Sequence, residues 1–362
     1  MASLPRLALR AKVSSLRVSR RAGVAFMALT LGMTACGGSG GGSRAGGAGA
    51  TSTTTVAPPT SPEAPTTSTT VAVPAAWHTR AAAPTSRQEV ASAVLDGRVW
   101  VIGGITTAGA SAIVESYDPA ADRWYPGPAL PLALHHAAAS VYRGEIVVAG
   151  GFVAAAGDLY TQASDRVLAL RNGAWVDLPR LRRPRGAAAA ATVGSSLVVA
   201  GGRDGAALIG PTEVFDGTAW RDAAAIPTRR DHLSAVSDGR SIFAVGGRFL
   251  ASGALSAAFE RYDPATDAWE RLPAMPTARA GQGATLVGGR VVVAGGEDPS
   301  HVYAEVEAYD ITRQAWSTLP PLPTPRHGLA LERVGSQVLA LVGGTSSGVA
   351  PSTRAEALEP LS

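Results

Sequence analysis

Phe259–Gly296 reads FERYDPATDAWERLPAMPTARAGQGATLVGGRVVVAGG, and each of its parts recurs along the chain. An acidic-aromatic run leads through a polar turn to Trp269, Arg279 stands ten residues further on, and the second of two apolar runs ends in Gly-Gly. Working outward, that ending returns as VWVIGG (Val99–Gly104), EIVVAGG (Glu145–Gly151), SLVVAGG (Ser196–Gly202), IFAVGG (Ile242–Gly247) and LALVGG (Leu339–Gly344). The pairs begin at Gly103, Gly150, Gly201, Gly246, Gly295 and Gly343, spaced by 47, 51, 45, 49 and 48 residues. Short β-branched runs bounded by turn signals read as buried strands, and a period in this range as a radial or stacked repeat.

The Trp column extends the pattern. Trp124, Trp175, Trp220, Trp269 and Trp316 each precede by ten residues the opening of the next unit, at Leu134, Arg185, Arg230, Arg279 and Arg326. The final segment, TRAEALEPLS (Thr353–Ser362), reaches no Trp, whereas Trp77 lies ten residues before Arg87. The strand around Trp77 is therefore expected to complete the unit begun at Arg326. The prediction is an all-β, six-bladed propeller over residues 75–362, its last blade closed by an N-terminal strand, which leaves no open sheet edge in the ring.

Composition agrees: 46% of residues are hydrophobic, only 17% are charged, and Gly (42) and Pro (25) are frequent. The net charge of +4 is misleading, because Arg6, Arg10, Lys12, Arg17, Arg20, Arg21 and Arg44 against Glu63 give residues 1–74 a charge of +6. The remainder carries −2, so no basic surface recommends a nucleic-acid partner.

Residues 1–35 read as a signal peptide. Arg17, Arg20 and Arg21 precede the apolar run Ala22–Ala35, too short to span a bilayer, and small residues follow. MTAC (Met33–Cys36) resembles a bacterial lipoprotein box, with Met33 where that family prefers Leu. The resemblance implies export, lipidation of Cys36 and anchoring to the outer side of the bacterial cell membrane. An ordinary secretory signal with an incidental Cys is the alternative. SRRAGVAF (Ser19–Phe26) is similar to a twin-arginine signal, with Gly23 in place of Phe, which leaves the export route open. Residues 36–74, rich in Gly, Ser, Thr and Pro, read as a lipidated Cys followed by a disordered tether with a reach of roughly 35 Å. Cys36 is the only Cys, so no intrachain disulfide is available.

Across residues 75–362 the diglycines, the ERYDPATDAW strand pair (Glu260–Trp269) and the MPTAR junction (Met275–Arg279) resemble a kelch-repeat β-propeller. Blade two departs most, with DRVLAL (Asp165–Leu170) and Leu134. The resemblance implies a binding platform without fixed chemistry. With strands named a to d from the axis outward, tight turns such as those at Asp96, Arg143, Asn172, Asp216, Asp238 and Gly288 close one face. The longer b–c links, including FVAAAGDLYTQASD (Phe152–Asp165), RFLASG (Arg248–Gly253) and EDPSHVY (Glu297–Tyr303), share the other face with the d–a links. That second face is the expected binding face.

Two sets of polar residues lie there. Arg87, Arg185, Arg230, Arg279 and Arg326 form a ring, and Glu115, Glu213, Glu260, Glu307 and Glu356 open the c strands; both columns fail in blade two, where Arg166 replaces Glu. Failure in the same blade suggests a structural ring of ion pairs rather than an anion-binding rim. Residues that break the repeat are the expected ligand-binding set: Glu89, His135, His136, Asp231, His232 and His327 at the rim, with Arg166, Arg203, Arg248 and Glu297 in the b–c region. Galactose oxidase-like copper chemistry, which requires a Cys–Tyr cross-link, is excluded. The chain is also similar to sialic-acid mutarotases, exported six-bladed kelch propellers, and this would assign the acid/base pair to Glu89 and His136. The His residues show no metal-ligand spacing, so neither metal nor cofactor is expected. The function expected is a monomeric, cell-surface or periplasmic, lipid-anchored platform for a carbohydrate, peptide or protein ligand, with sugar mutarotation or epimerisation as the alternative and the membrane met only through the anchor.

Overall fold

The computed structural model describes residues 75–155, 158–250 and 252–361. The expected signal peptide, Cys36 and the tether lie outside these residues. No helix among them is long and apolar enough to cross a membrane.

Strands fold into six four-stranded antiparallel sheets, the third carrying an additional short strand, Ala207–Leu208. The first blade runs outward through Ala91–Leu95, Arg98–Ile102, Val114–Asp118 and Arg123–Pro126. The inner strands of the others are Ala138–Tyr142, Gly186–Val193, Ser234–Ser237, Gly283–Val287 and Ala330–Val334. These six pack in a closed cycle, Ala330–Val334 returning to Ala91–Leu95. Crowding at the axis explains their small residues, of which GAAAAATV (Gly186–Val193) is the extreme case. Second strands such as RVVVA (Arg290–Ala294) are covered on both faces by neighbouring blades, and Val291, Val292 and Val293 are wholly buried. The core is accordingly divided into clusters, such as Tyr142, Val147, Phe215 and Trp220, which fill the wedges between consecutive blades.

Backbone bonds tie each blade to the next. The diglycine nitrogens Gly104, Gly151, Gly202, Gly247 and Gly296 donate to the carbonyls of Leu134, Arg185, Arg230, Arg279 and Arg326 over 2.8 to 3.0 Å. Gly343 closes the circuit onto Arg87 over 2.8 Å. Close approach is why Gly is needed: a Cβ on Gly295, at φ +67°, would lie 2.2 Å from the Arg326 carbonyl oxygen. The sixth repeat is shifted by one residue relative to the sequence reading. Val342 (φ 53°) and Gly343 (φ +105°) occupy the positions of Gly295 and Gly296, which leaves Gly344 one place beyond the pair.

The last blade consists of Ala330–Val334, Gln337–Leu341, Ala355–Glu359 and, outermost, Ala76–Thr79. Trp77 pairs with Leu358, and its indole donates to the Pro320 carbonyl over 2.8 Å. Trp124, Trp175, Trp220, Trp269 and Trp316 make the same type of bond to Ala81, Pro128, Pro179, Ala224 and Pro273. Trp77 is thus the sixth member of the column.

Candidate functional site

The Arg ring is a buried scaffold. Arg87, Arg185, Arg230, Arg279 and Arg326 are all 0% exposed and pair with Glu115, Glu213, Glu260, Glu307 and Glu356 at 2.5 to 2.9 Å. Arg87 also donates to the carbonyls of Val101, Gly103 and Ile113, clamping the b–c link of its blade. The second carboxylate oxygen accepts from a Thr hydroxyl two residues before the Arg: Thr85, Thr228, Thr277 and Thr324 for Glu115, Glu260, Glu307 and Glu356. In blade three the Arg182 amide takes that place on Glu213. The sequence reading missed this Thr column, though it is visible as T-x-R before four of the ring arginines.

Three columns that vary from blade to blade lie directly above this scaffold. The residue after each ring position pairs with the residue after each diglycine: Gln88 with Ile105, His135 with Phe152, Gly186 with Arg203, Asp231 with Arg248, Ala280 with Glu297 and His327 with Gly344. Next comes Glu89, His136, Ala187, His232, Gly281 and Gly328, every one with φ between 52° and 65°. His136 donates its amide to the Glu89 carbonyl, Ala187 to His136, His232 to Ala187, Gly281 to His232 and Gly328 to Gly281, over 2.7 to 3.0 Å, forming a belt around the axis.

Side chains from all six blades meet above this belt. Glu89 contacts His136 Nε2 through Oε2 at 3.0 Å and His327 Nδ1 through Oε1 at 2.9 Å. His327 Nδ1 also lies 3.4 Å from Glu297 Oε2, while Arg248 Nη1 lies 3.5 Å from Glu297 Oε1. Arg248 reaches His232 Nε2 at 2.8 Å, and His232 Nδ1 lies 3.1 Å from Asp231. Arg203 pairs with Asp231 at 3.0 Å and stacks over Phe152 at 4.6 Å. His135 and His136 meet at their Nδ1 atoms, 2.6 Å apart.

This packing perturbs the ionisable groups. Burial opposes the charge of Glu89, but His136 and His327 overcome it and hold the carboxyl well below its ordinary value. Burial likewise disfavours a charged His327, yet Glu89 and Glu297 raise its pKa. Burial and the Arg248 guanidinium push His232 down to about 4. Burial raises Glu297, with Glu89 adding to the effect. Cavities follow the axis among the described residues. One of about 280 Å³ opens among Gln88, Glu89, His232, Arg248, Glu297 and His327. A second, of about 160 Å³, lies beneath Glu89, His136 and His232 and reaches Glu332. Burial pushes Glu332 up to about 7, opposed by a 2.7 Å bond from Ser92.

Nine of the ten residues named from sequence converge here: Glu89, His135, His136, Arg203, Asp231, His232, Arg248, Glu297 and His327. Arg166 does not; it faces the outermost strand of blade two and binds Asp177 with both Nε and Nη2. The rim residues are also more deeply set than their loop positions suggested, with His135 1% and His327 1% exposed. Gln88, Phe152 and Ser346 were missed; Gln88 holds the last b–c link through Gly348 and Ala350. The absence of metal-ligand spacing proves uninformative, because Glu89, His136 and His232, and likewise Glu89, Glu297 and His327, come together from different blades.

The fold and its repeated columns define the class, a β-propeller, and the chain carries kelch motifs. The Kelch motif family model matches residues 86–131, 229–276 and 278–323. Kelch-like protein terF of Aspergillus terreus is 25% identical over 240 residues, covering 61% of this chain and 52% of that protein. Beta-scruin of Limulus polyphemus is 40% identical over 77 residues, 21% of this chain and 8% of that protein. The chain therefore spans about half or less of the length of these relatives. The solved structure titled "Structure of YjhT" aligns with a TM-score of 0.65 at 16% identity, covering 76% of this chain and 96% of that one, and supports the fold.

Proposed function

We propose that this propeller is an exported, lipid-anchored binding protein that receives a polar or anionic carbohydrate, peptide or protein group at the axial mouth. The observation that carries this reading is the convergence of nine repeat-breaking side chains from six blades on one opening, above a scaffold that repeats almost unchanged. Side chains concentrated where a rigid fold leaves freedom to vary are the usual basis of recognition. Arg203 and Arg248 offer charged donors, and Glu89, Asp231 and Glu297 offer acceptors that fix orientation. Sugar mutarotation is the second reading, favoured by Glu89 lying between the imidazoles of His136 and His327, where a proton has three adjacent carriers.

Three experiments on the full chain address these readings. Detergent partition, compared with Cys36→Ser, tests the anchor. A thermal-shift panel of sialic acid, neutral sugars and cell-wall fragments tests the mouth. The expected result is a shift with an acidic sugar or fragment that Arg248→Ala abolishes, with little change in the ligand-free midpoint. Binding that survives Arg248→Ala and Asp231→Asn places the ligand elsewhere. Acceleration of sialic-acid anomer exchange, followed by NMR and lost in Glu89→Gln, would select the second reading.

A further inference from the structure

We propose that Glu89, Glu297 and His327 form a binding site for a divalent transition-metal cation at the axial mouth. The His327 ring is oriented by a backbone partner. Its Nε2 lies 3.1 Å from the Ser346 carbonyl oxygen, which can only accept, so Nε2 carries the hydrogen. Nδ1 faces two further acceptors, Glu89 Oε1 (2.9 Å) and Glu297 Oε2 (3.4 Å), and shares a hydrogen with them until a cation displaces it and takes the Nδ1 lone pair and both oxygens as ligands. A backbone carbonyl fixing one ring nitrogen while the other faces anionic oxygens is the usual arrangement around a metal-bound imidazole.

Spacing supports the same reading. Donors bound at about 2.1 Å with angles between 90° and tetrahedral lie about 3.0–3.4 Å apart. The observed separations of 2.9 and 3.4 Å match this, and the three donors lie within 4.8 Å of one another. The backbone makes room for both inner ligands. A Cβ on Gly328 would lie 2.6 Å from the Glu89 carboxyl carbon, and one on Gly344 would lie 2.3 Å from His327 Nε2.

Neighbouring side chains hold both carboxylates in place. Arg248 holds the other oxygen of Glu297, and His136 faces the other oxygen of Glu89, which orients both carboxylates. The ligands border the 280 Å³ cavity, which provides an entry route and space for water or ligand oxygen on the remaining coordination positions. One imidazole and two carboxylates suit Zn²⁺, Mn²⁺ or Fe²⁺ better than soft, thiolate-preferring ions. The site does not depend on the organic ligand proposed above.

The test is calorimetric titration of the chelator-stripped full chain with Zn²⁺, together with the ¹⁵N shift of the His327 Nδ1. Saturable one-to-one binding that displaces the Nδ1 resonance is expected. Glu297→Gln, an isosteric change at a partly exposed side chain, should weaken binding by about tenfold or more, as should His327→Ala. His78→Ala, at an exposed position on the outermost strand of the last blade, should leave binding unchanged. Lack of saturable binding, or binding untouched by Glu297→Gln, would overturn the proposal and leave His327 as a proton-bearing partner of the carboxylates. Binding lost in His232→Ala yet retained in Glu297→Gln would also overturn it, placing the cation at the neighbouring triad.

Discussion

At the scale of single residues, burial separates ion pairs of identical chemistry. Arg279 and Glu307 are 0% and 6% exposed and 2.9 Å apart, whereas Arg261 and Glu270 are 41% and 57% exposed and 2.5 Å apart. Removing one member of a buried pair strands the other charge away from water, at a cost of about 3–5 kcal/mol. An exposed pair contributes at most about 1 kcal/mol, because water solvates the partner left behind. Arg279→Ala is therefore expected to lower the unfolding free energy by about 3 kcal/mol or more, and Arg261→Ala by less than about 1 kcal/mol. Denaturant titration of both variants decides the matter; similar losses would show that the ring is not the scaffold described. Pairing of these columns could be suspected from sequence because both fail in blade two. The Thr column stands in the sequence as T-x-R, but its bond to the second carboxylate oxygen, and the backbone carbonyls that complete each cage, are recognised only once the Arg side chain has a direction.

At the scale of elements, the strand Ala76–Thr79 closes the ring. It pairs with Ala355–Glu359, extends through the Arg80 and Ala83 amides, and places Trp77 against the cluster containing Val306, Leu322 and Leu358. Relative to a chain beginning at residue 75, deletion of residues 75–84 should cost several kcal/mol, roughly the sum of a buried aromatic contact and a strand ladder, or cause aggregation through the exposed edge. Trp77→Phe, which removes the bond to Pro320 but keeps much of the apolar surface, should cost about 1 kcal/mol. Indistinguishable thermal midpoints for the deletion and its reference would mean that the strand is dispensable. This element was legible because spacing survives where residue identity drifts: ten residues separate each Trp from the next opening even where Leu134 replaces Arg. The one-residue shift at Val342 was hidden because Gly343-Gly344 satisfies the pattern by eye, while backbone bonding identifies Val342-Gly343 as the equivalent pair.

At the scale of the whole molecule, the channel exists only because six inner strands surround it, and its chemistry belongs to no single blade. Glu332 faces this channel with its carboxyl pushed up to about 7 from an ordinary 4.5. The folded state therefore retains a proton that the unfolded chain releases, and stability should fall as pH rises from about 4.5 to about 7, then level off. The drop should be about 1–3 kcal/mol, reduced from the full value by water in the channel. Glu332→Gln should flatten that part of the pH profile, measured by denaturant midpoints at about pH 5 and pH 8. A Glu332→Gln profile parallel to that of the parent would assign the titration elsewhere.

The sequence by itself determined the six-fold repeat, the antiparallel strands, the closing strand at Trp77 and the face on which the repeat breaks down. These are properties of periodicity, and periodicity is read along one dimension. Only the tertiary structure decided that Glu89, Arg248, Glu297 and His327 share one opening while Arg166 stands apart. Residues up to 238 positions apart, as Glu89 and His327 are, become neighbours only when the ring closes. Whether a donor set converges there depends on strand direction and side-chain orientation at each blade's inner edge, which spacing along the chain does not encode.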